Sequence, residues 1–453
     1  MCGFALSIGG FVPADRGPAA TTADEMTTET LEDRFWSQFK EIPVGPGRLS
    51  IGGSARFRYE WQNHFNYKSY GDKTRDGFLL GRFRLNFEYK LRERLRAFVE
   101  LQDARVWGSD FGIDDFQGRS PDENPFDLRQ AFVEWTHIGD TPWGFKIGRQ
   151  SIQYGDNRVW GPGEWGNVGS FLWDAAKVQY DTKALLIEAL YARRVRHESD
   201  RWNFDDKHFD FDAYGLYATV KNLPTNLDLF FVEKRGRATK PGTRQIEREL
   251  RHTLGTRLDG RFLGNFDYAG TLAYQFGSWG DDRIRAWGMH TGLGYTFNHA
   301  WKPRLGADFA YGSGDSHPGN RTVTTFDGVF GARDVLYYGR MNLFGWSNIE
   351  DYQLSLTAHP TDRLETRLDY HYFRLAAAED SWYISPGSSL RRDATGRSGR
   401  EVGHEIDFMA KYRLNKRTSL IGIVGMFFPS AFVERTGPHQ GALGACLQVM
   451  YEF

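Results

Sequence analysis

The chain has 453 residues, a net charge of −1 and an aromatic fraction of 15%, with 51 Gly among its residues. Its mean hydropathy is negative, so the chain is polar on average. The chain contains no run of eighteen or more apolar residues, which excludes a membrane-spanning helix. Only two cysteines are present, Cys2 and Cys446, so a disulfide framework is excluded. A chain rich in aromatics yet polar on average is typical of strands with one apolar and one wet face.

The N-terminal region is expected to lie outside the main fold. Residues 1–27 are interpreted as a leader or truncated signal peptide, because Cys2–Val12 is apolar and Gly-rich but lacks a basic segment before it and a clean cleavage site after it. Residues 28–47 are predicted to form a periplasmic lead-in. A short amphipathic helix is expected there between Thr28 and Ile42, with an apolar face made of Leu31, Phe35, Trp36 and Phe39.

Residues 48–453 show a period-two alternation that recurs to the end of the chain. In Phe83–Leu91 every second residue is apolar or aromatic, and the residues between are Arg84, Asn86, Glu88 and Lys90. The same pattern occurs in Ala55–Gln62 and in Arg363–Tyr372. Because successive side chains of a strand point to opposite faces, each segment is a strand with one apolar and one charged face.

The connections between about eighteen such segments alternate between short and long. Short ones include Arg92–Glu93 and Asn415–Lys416, and long ones include Asn63–Gly77, Gln153–Ser170 and Gly312–Trp346. Tight turns at one end and long loops at the other predict an all-β fold, a transmembrane up-and-down antiparallel β-barrel of about 18 strands. An even strand number places both termini at the end with the turns.

The last strand carries a further membrane signal. Leu447–Phe453 ends the chain on an aromatic residue, with apolar residues at alternate positions before it. This pattern resembles the signal by which the outer-membrane assembly machinery recognises its substrates. The expected location is therefore the bacterial outer membrane, with outer-membrane lipid and the assembly machinery, acting through Phe453, as partners.

Three stretches, in order along the chain, resemble the alginate export family of outer-membrane barrels. They comprise Leu128–Glu134 with Lys146–Gln150, Tyr154–Arg158, Gly161–Pro162, Trp165 and Asn167; then Tyr311–Asp315 with Thr325–Asp327, Tyr337–Gly339 and Gly345–Asn348; and finally Leu368–Phe373 with Arg391–Asp393 and Gly403–Asp407.

The resemblance implies a monomer with an arginine-lined constriction that loops gate. It also implies that Arg129 and Arg149 occupy constriction positions. Strict alternation places both residues on the outward face of their strands. To reach the constriction they must therefore lie at the rim of the barrel or beyond a β-bulge that turns the strand face. The chain departs from the family at Leu420–Phe427, where a further arginine is expected and none occurs.

The charged face is expected to line the lumen and to attract anions. Arginine outnumbers lysine by about three to one, and its planar guanidinium pairs well with carboxylate and phosphate. The sequence therefore predicts a porin-like channel for passive passage of an anionic solute, such as the acidic polysaccharide alginate. The candidate pore residues, besides Arg129 and Arg149, are Arg58, Arg82, Arg84, Arg96, Arg367, Glu134 and Asp369.

Other interpretations remain open at this point. The lumen charges could form a mutually paired ladder, or the barrel could be a loop-plugged structural or surface-binding protein without conductance. A barrel enzyme is less favoured, because no serine, histidine and acid fall together on neighbouring strands. The acidic loop residues Asp110, Asp114, Asp115 and Asp122 lack the spacing of a calcium loop. No cofactor, metal or nucleic-acid partner is expected.

Overall fold

The computed structural model describes residues 31–66, 68–200, 209–240, 245–331, 337–385 and 388–453. Eighteen long strands form the wall of a barrel. In chain order they are β1 Gly47–Phe65, β2 Tyr70–Leu91, β3 Leu95–Trp107, β4 Asn124–Trp135, β5 Trp143–Gln150, β6 Leu172–Asp181, β7 Leu185–Val195, β8 Phe209–Val220, β9 Thr225–Thr239, β10 Ile246–Phe262, β11 Phe266–Trp279, β12 Asp282–Thr296, β13 Arg304–Gly312, β14 Ile349–Thr361, β15 Leu364–Arg374, β16 Glu401–Arg413, β17 Thr418–Pro429 and β18 Ala442–Glu452.

Every strand of the wall pairs antiparallel with its sequence neighbours, and the last strand closes the barrel on the first. β18 pairs with β1 over ten residue pairs that run from Ser54 opposite Glu452 to Asn63 opposite Leu443. Closure leaves the wall without a free edge, which a lipid environment requires. The predicted 18-stranded up-and-down barrel is confirmed.

The alternation in the sequence corresponds to the two faces of this wall. On β2, Phe83 is 47% exposed on the outer face, whereas its neighbours Arg82 and Arg84 are 4% and 8% exposed. Other strands repeat the arrangement, so the outer surface is apolar and the inner surface is polar. The exposed apolar side chains are those that lipid would cover.

The two ends of the barrel differ as the sequence predicted. At the turn end, β2 and β3 are joined by residues 92–94, and β16 and β17 by residues 414–417. At the loop end the connections include residues 108–123, 151–171, 313–348 and 375–400. Two details differ. The predicted long loop Asn63–Gly77 is only residues 66–69, because β1 and β2 continue beyond the expected wall. At the same end, β11 and β12 are joined by residues 280–281 alone.

A helix, α1 (Leu31–Ser37), lies beside the closure of the barrel. Its Trp36 stacks on Phe453 with 4.4 Å between ring centroids, and the Trp36 Nε1 donates to the Tyr451 hydroxyl at 2.6 Å. This helix lies within the stretch predicted to be helical but is shorter, since Phe39 lies beyond its end. The proposed leader lies outside the described residues. None of the described helices is long and apolar enough to cross a membrane.

The remaining regular elements are short. A second helix, α2 (Ala431–Thr436), and the 3-10 turns Ile113–Phe116 and Ile138–Asp140 lie in the connections. Short strands Ile42–Val44 and Thr322–Val323 extend the sheet, and Ser381–Ser385 pairs with Ser388–Arg392.

Two long connections fold into the barrel and build its hydrophobic core. In the β5–β6 loop (residues 151–171), Trp160 packs at 5.2 Å from Trp173 of the wall and at 5.0 Å from Phe330 of the β13–β14 loop (residues 313–348). Phe344 of the second loop stacks on Phe373 of β15 at 3.8 Å. The lumen is therefore occupied by these loops rather than open along its length.

Candidate functional site

Five arginines from neighbouring strands converge on one side of the lumen. β1 supplies Arg56 and Arg58, β2 supplies Arg82 and Arg84, and β4 supplies Arg129. All five are between 2% and 8% exposed. The first four face inward through the period-two alternation of their strands. We refer to these five residues as the arginine cluster.

Arg129 faces inward because β4 contains a bulge. Glu100 of β3 pairs with Gln130, whereas the next residue, Leu101, pairs with Leu128, so Arg129 is the extra residue. A bulge of this kind changes the face to which the following side chains point. The Arg129 guanidinium lies 3.2 Å from the Glu100 carboxylate inside the barrel. Arg129 therefore faces the lumen, whereas simple alternation would place it on the outer face.

Arg149, in contrast, does not belong to the arginine cluster. It pairs in register with Asp174 of β6, and its guanidinium lies 2.8 Å from that carboxylate. It shares the outward face with Ile147, which is 54% exposed, while Gln150 on the other face is 1% exposed. The structure therefore does not bring Arg149, which was predicted as a constriction residue, to the arginine cluster, because β5 has no bulge to reverse its alternation.

One carboxylate from the β5–β6 loop binds three members of the arginine cluster. Glu164 accepts a hydrogen bond from Arg84 at 2.6 Å, forms an ion pair with Arg129, and lies 3.9 Å from Arg82. Burial alone would raise the pKa of Glu164, but the three guanidinium groups outweigh it and lower that pKa well below its ordinary value. Glu164 is therefore held as an anion inside the lumen.

Backbone carbonyls of the same loop bind the rest of the arginine cluster. Arg58 donates to the Trp165 carbonyl at 2.7 Å and lies 4.4 Å from the centre of the Trp165 ring. Arg56 donates to the same carbonyl at 3.0 Å and to that of Gly166 at 3.1 Å. Carbonyls are weaker partners for a cation than carboxylates, so an anionic group could replace them favourably.

The carboxylates around the arginine cluster do not balance its charge. Besides Glu164, Arg58 contacts Glu60 at 2.6 Å and Arg129 contacts Glu100. Among the described residues, three carboxylates in ion-pair contact therefore face five guanidinium groups. In a low-dielectric lumen such an excess produces a strong positive potential.

The other predicted pore residues form ion pairs outside the arginine cluster. Arg96 and Glu134 contact each other at 3.4 Å near the turn end of the wall, away from the β5–β6 loop. Arg367 and Asp369 contact each other at 2.7 Å on β15. For these four residues the structure shows the paired arrangement that was left open as an alternative.

An acidic cluster covers a different part of the wall. It consists of Asp351 on β14, Asp369 on β15, and Glu405 and Asp407 on β16, each 2% exposed or less. The β13–β14 loop docks there through Arg340, whose guanidinium lies 3.2 Å from Asp369 and whose backbone N–H donates to Asp407 at 3.0 Å.

The β13–β14 loop also carries a carboxylate that meets basic wall residues. Asp327 lies 2.7 Å from the Lys234 ammonium of β9 and 3.8 Å from Arg251 of β10. Burial would raise the pKa of Asp327, but these two cations lower it. Both loops are thus held in the lumen by opposite charges on the wall.

A cavity of about 590 Å³ remains between the loops and the wall. Its acidic lining residues are Glu60 and Asp122, whereas eight basic residues line it, which gives the free space a positive character. These are Arg58, Arg119, Arg158, Arg194, Arg196, Lys234, Arg237 and Arg340.

The described residues contain no group of three or more His, Cys, Asp or Glu arranged to hold a metal ion. In the loop run Gly312–Ser316, the Ser316 hydroxyl lies 2.9 Å from His317 Nδ1, but Asp315 accepts from the His317 backbone N–H rather than from its ring. This is not the geometry of a nucleophile, base and orienting acid.

Sequence reasoning missed the loop residues that complete the site. Glu164, Asp327 and Arg340 lie in connections without periodicity, so no pattern assigned them to the lumen. Glu164 lies between the matched residues Pro162 and Trp165, and Asp327 itself belongs to the matched stretch Thr325–Asp327, so the family resemblance was the signal that could have drawn attention to both.

Comparisons with known proteins give the family of the chain and agree with its barrel fold. Residues 47–443 match the model of a family described as alginate export, and the comparison with curated proteins gave no match. The fold is similar to OccAB2 of Acinetobacter baumannii, with a TM-score of 0.59, 10% identity and coverage of 89% of this chain and 98% of that chain. It is also similar to OpdQ of Pseudomonas aeruginosa, with a TM-score of 0.58, 11% identity and coverage of 89% and 97%.

Proposed function

Because the chain belongs to the alginate export family, we propose that it is an outer-membrane channel through which an anionic solute passes along the arginine cluster. An acidic polysaccharide such as alginate is the solute class that best fits this proposal. The porin fold supports a channel in the outer membrane, with the turn end in the periplasm and the loop end outside the cell.

The observation that carries the proposal is the position of Glu164. Its carboxylate occupies the point on which Arg82, Arg84 and Arg129 converge. A uronate carboxylate has the same chemistry and could take this place once the β5–β6 loop moves aside. The carbonyls that Arg56 and Arg58 now bind would be exchanged for further anionic groups.

Passage requires that the bound anion can also leave. Five arginines on three strands offer several overlapping positions to a chain of carboxylates, so one contact can break while another forms. Sites that are several and individually weak allow conduction rather than trapping. The cavity lining, with eight basic and two acidic residues, extends this positive path beyond the arginine cluster.

The test is conductance of the purified protein in a planar bilayer under a salt gradient, followed by addition of oligouronate. We expect a reversal potential that indicates anion selectivity and a current that oligouronate blocks. A current without selectivity or block would contradict the proposed solute class.

A second candidate is a plugged barrel that binds at the surface and conducts nothing. The burial of Phe326, Phe330 and Trp346 of the β13–β14 loop, each 3% exposed or less, favours it. Absence of current in the wild type and also in variants that release the β5–β6 loop would select this candidate.

A further inference from the structure

A row of directly opposite residues runs around the outer face of the wall near its loop end. Each residue in the row is the registered partner of the next, from β5 to β9: Arg149, Asp174, Arg193, Asp212 and Arg235. The charges alternate along the row. Arg193, for example, lies 3.4 Å from Asp212. Each arginine in this part of the row therefore faces a carboxylate.

The alternation stops where the same row continues onto β10, β11 and β12. The next members are Leu250, Ser278 and Arg283. Arg283, together with Arg285 on the same strand and Arg248 on β10, forms an exposed set that we call the outer arginine patch. None of the three forms an ion pair with a carboxylate of the described residues.

Carboxylates near the outer arginine patch have other partners or lie on the turn. Glu233 binds Arg235, and Asp282 forms an ion pair with Lys240. The exposed Asp281 lies in the two-residue turn between β11 and β12. Against three arginines, this leaves an excess of positive charge at the patch.

The outer arginine patch adjoins the apolar surface of the barrel. Phe276 and Trp287 are 40% and 42% exposed on the same outward face, and Leu254 is 56% exposed. The regular spacing of a β-sheet gives the distances within the patch. The Cα atoms of Arg283 and Arg285, two residues apart on one strand, are about 7 Å apart, and β10 and β12, with β11 between them, are about 10 Å apart. Like charges this close repel one another unless an anion lies between them.

We propose that the outer arginine patch binds the phosphate groups of a phosphorylated glycolipid of the outer leaflet, that is, lipopolysaccharide. Guanidinium groups bind phosphate oxygens in pairs, and the acyl chains of the same molecule would cover Phe276, Trp287 and Leu254. The neighbouring row offers no such site, because its arginines already face carboxylates. This inference rests on the proposed placement of the loop end outside the cell, but it does not depend on what the lumen transports.

The test uses a triple variant, R248Q/R283Q/R285Q, and a matched control, R105Q/R193Q/R374Q. The control arginines also lie on the outward face near the loop end, but each is paired, with Asp103, Asp212 and Glu350 respectively. Purified, folded protein in detergent is titrated with lipopolysaccharide, with its dephosphorylated form and with phosphatidylglycerol, and bound lipid is measured by native mass spectrometry.

We expect wild type and control to bind lipopolysaccharide alike and the triple variant to bind about tenfold or more weakly. Dephosphorylated lipid should bind the wild type as weakly as intact lipid binds the triple variant. Equal binding by the triple variant would overturn the proposal. So would equal binding of the dephosphorylated form or of phosphatidylglycerol, which would indicate adhesion through acyl chains or general charge. If the triple variant fails to fold, the single variants R248Q, R283Q and R285Q are used, and each should weaken binding in part.

Discussion

Arg129 and Arg149 lie on adjacent antiparallel strands, yet their side chains face opposite sides of the barrel wall. The register shift at Arg129 turns it toward Glu100 and Glu164 in the lumen. The unshifted strand leaves Arg149 beside Asp174 on the outer face. The two arginines are similarly buried and each contacts a carboxylate, but only Arg129 faces the lumen. Arg149 is therefore a matched control for substitutions that test the role of Arg129 in the lumen.

Replacement of Arg129 by Gln should reduce anion selectivity, whereas replacement of Arg149 by Gln should not. Arg129→Gln removes one of the three guanidinium groups around Glu164 and lowers the positive charge of the arginine cluster. We expect the oligouronate concentration for half block to rise roughly tenfold, the order of one charge-assisted hydrogen bond. Reversal potentials under a salt gradient measure the selectivity of the two variants, and a titration of the current with oligouronate measures the block. An equal effect of both substitutions would contradict the assignment.

Replacement of Glu164 by Gln should increase the open fraction of the channel. The amide keeps the shape but loses the charge that Arg84 and Arg129 bind, so docking of the β5–β6 loop should weaken by about 1–3 kcal/mol. This corresponds to roughly 5- to 150-fold in the open-to-closed ratio, read from single-channel records. Asp114→Asn, an exposed carboxylate on another loop, is the control. Unchanged gating in Glu164→Gln would show that the carboxylate does not hold the loop.

The open fraction of the channel should stay unchanged down to unusually acidic pH. The pKa of Glu164 is lowered from its ordinary value of 4.5 when the loop is docked. A lowered pKa means that docking is stabilised above pH 4.5 and loses this contribution as pH falls through the lowered value. Conductance should therefore be flat from neutral pH to about pH 4.5 and rise only below it. Glu164→Gln should show no such rise, and a transition between pH 5 and 7 would contradict the assignment.

Replacement of Asp327 by Asn should loosen the β13–β14 loop. Asp327 holds this loop to Lys234 and Arg251 of the wall, while its other oxygen accepts from the Val329 N–H at 2.6 Å. The amide retains an acceptor but not the charge, so backbone amides of residues 322–331 should exchange about tenfold faster. Hydrogen exchange measured by mass spectrometry detects this change. The peptide of α1 (Leu31–Ser37), which packs on Phe453 and not on the β13–β14 loop, serves as an internal control and should exchange at its wild-type rate.

The barrel wall was predictable because its physical constraint is local. A strand between lipid and water must alternate, and the alternation of Phe83, Arg84 and Leu85 is visible in any short window of the sequence. The inward position of Arg58, Arg82 and Arg84 followed from it directly. The strand lengths at the loop end were less predictable, because β1 and β2 continue beyond the region that alternation defines.

The contents of the lumen were not predictable in the same way. The position of Glu164 inside the barrel depends on its contacts with Arg82, Arg84 and Arg129, which lie 35 to 82 residues earlier in the chain. A periodic pattern in the sequence does not show which distant residues will be in contact. The bulge at Arg129 likewise depends on how β3 and β4 register with each other. Simple alternation gave the face on which Arg149 lies, but for Arg129 it gave the opposite face to the one observed.

The arginine cluster and the acidic cluster occupy different sectors of one wall, β1 to β4 and β14 to β16. With the loops displaced, the lumen would carry an electric field directed across its axis rather than along it. A polyanion entering it would be pressed against one side and repelled from the other. It would follow a narrow track on β1 to β4. The width of the path open to a polyanion would therefore be set by the separation of positive and negative charge across the lumen and not by the diameter of the barrel.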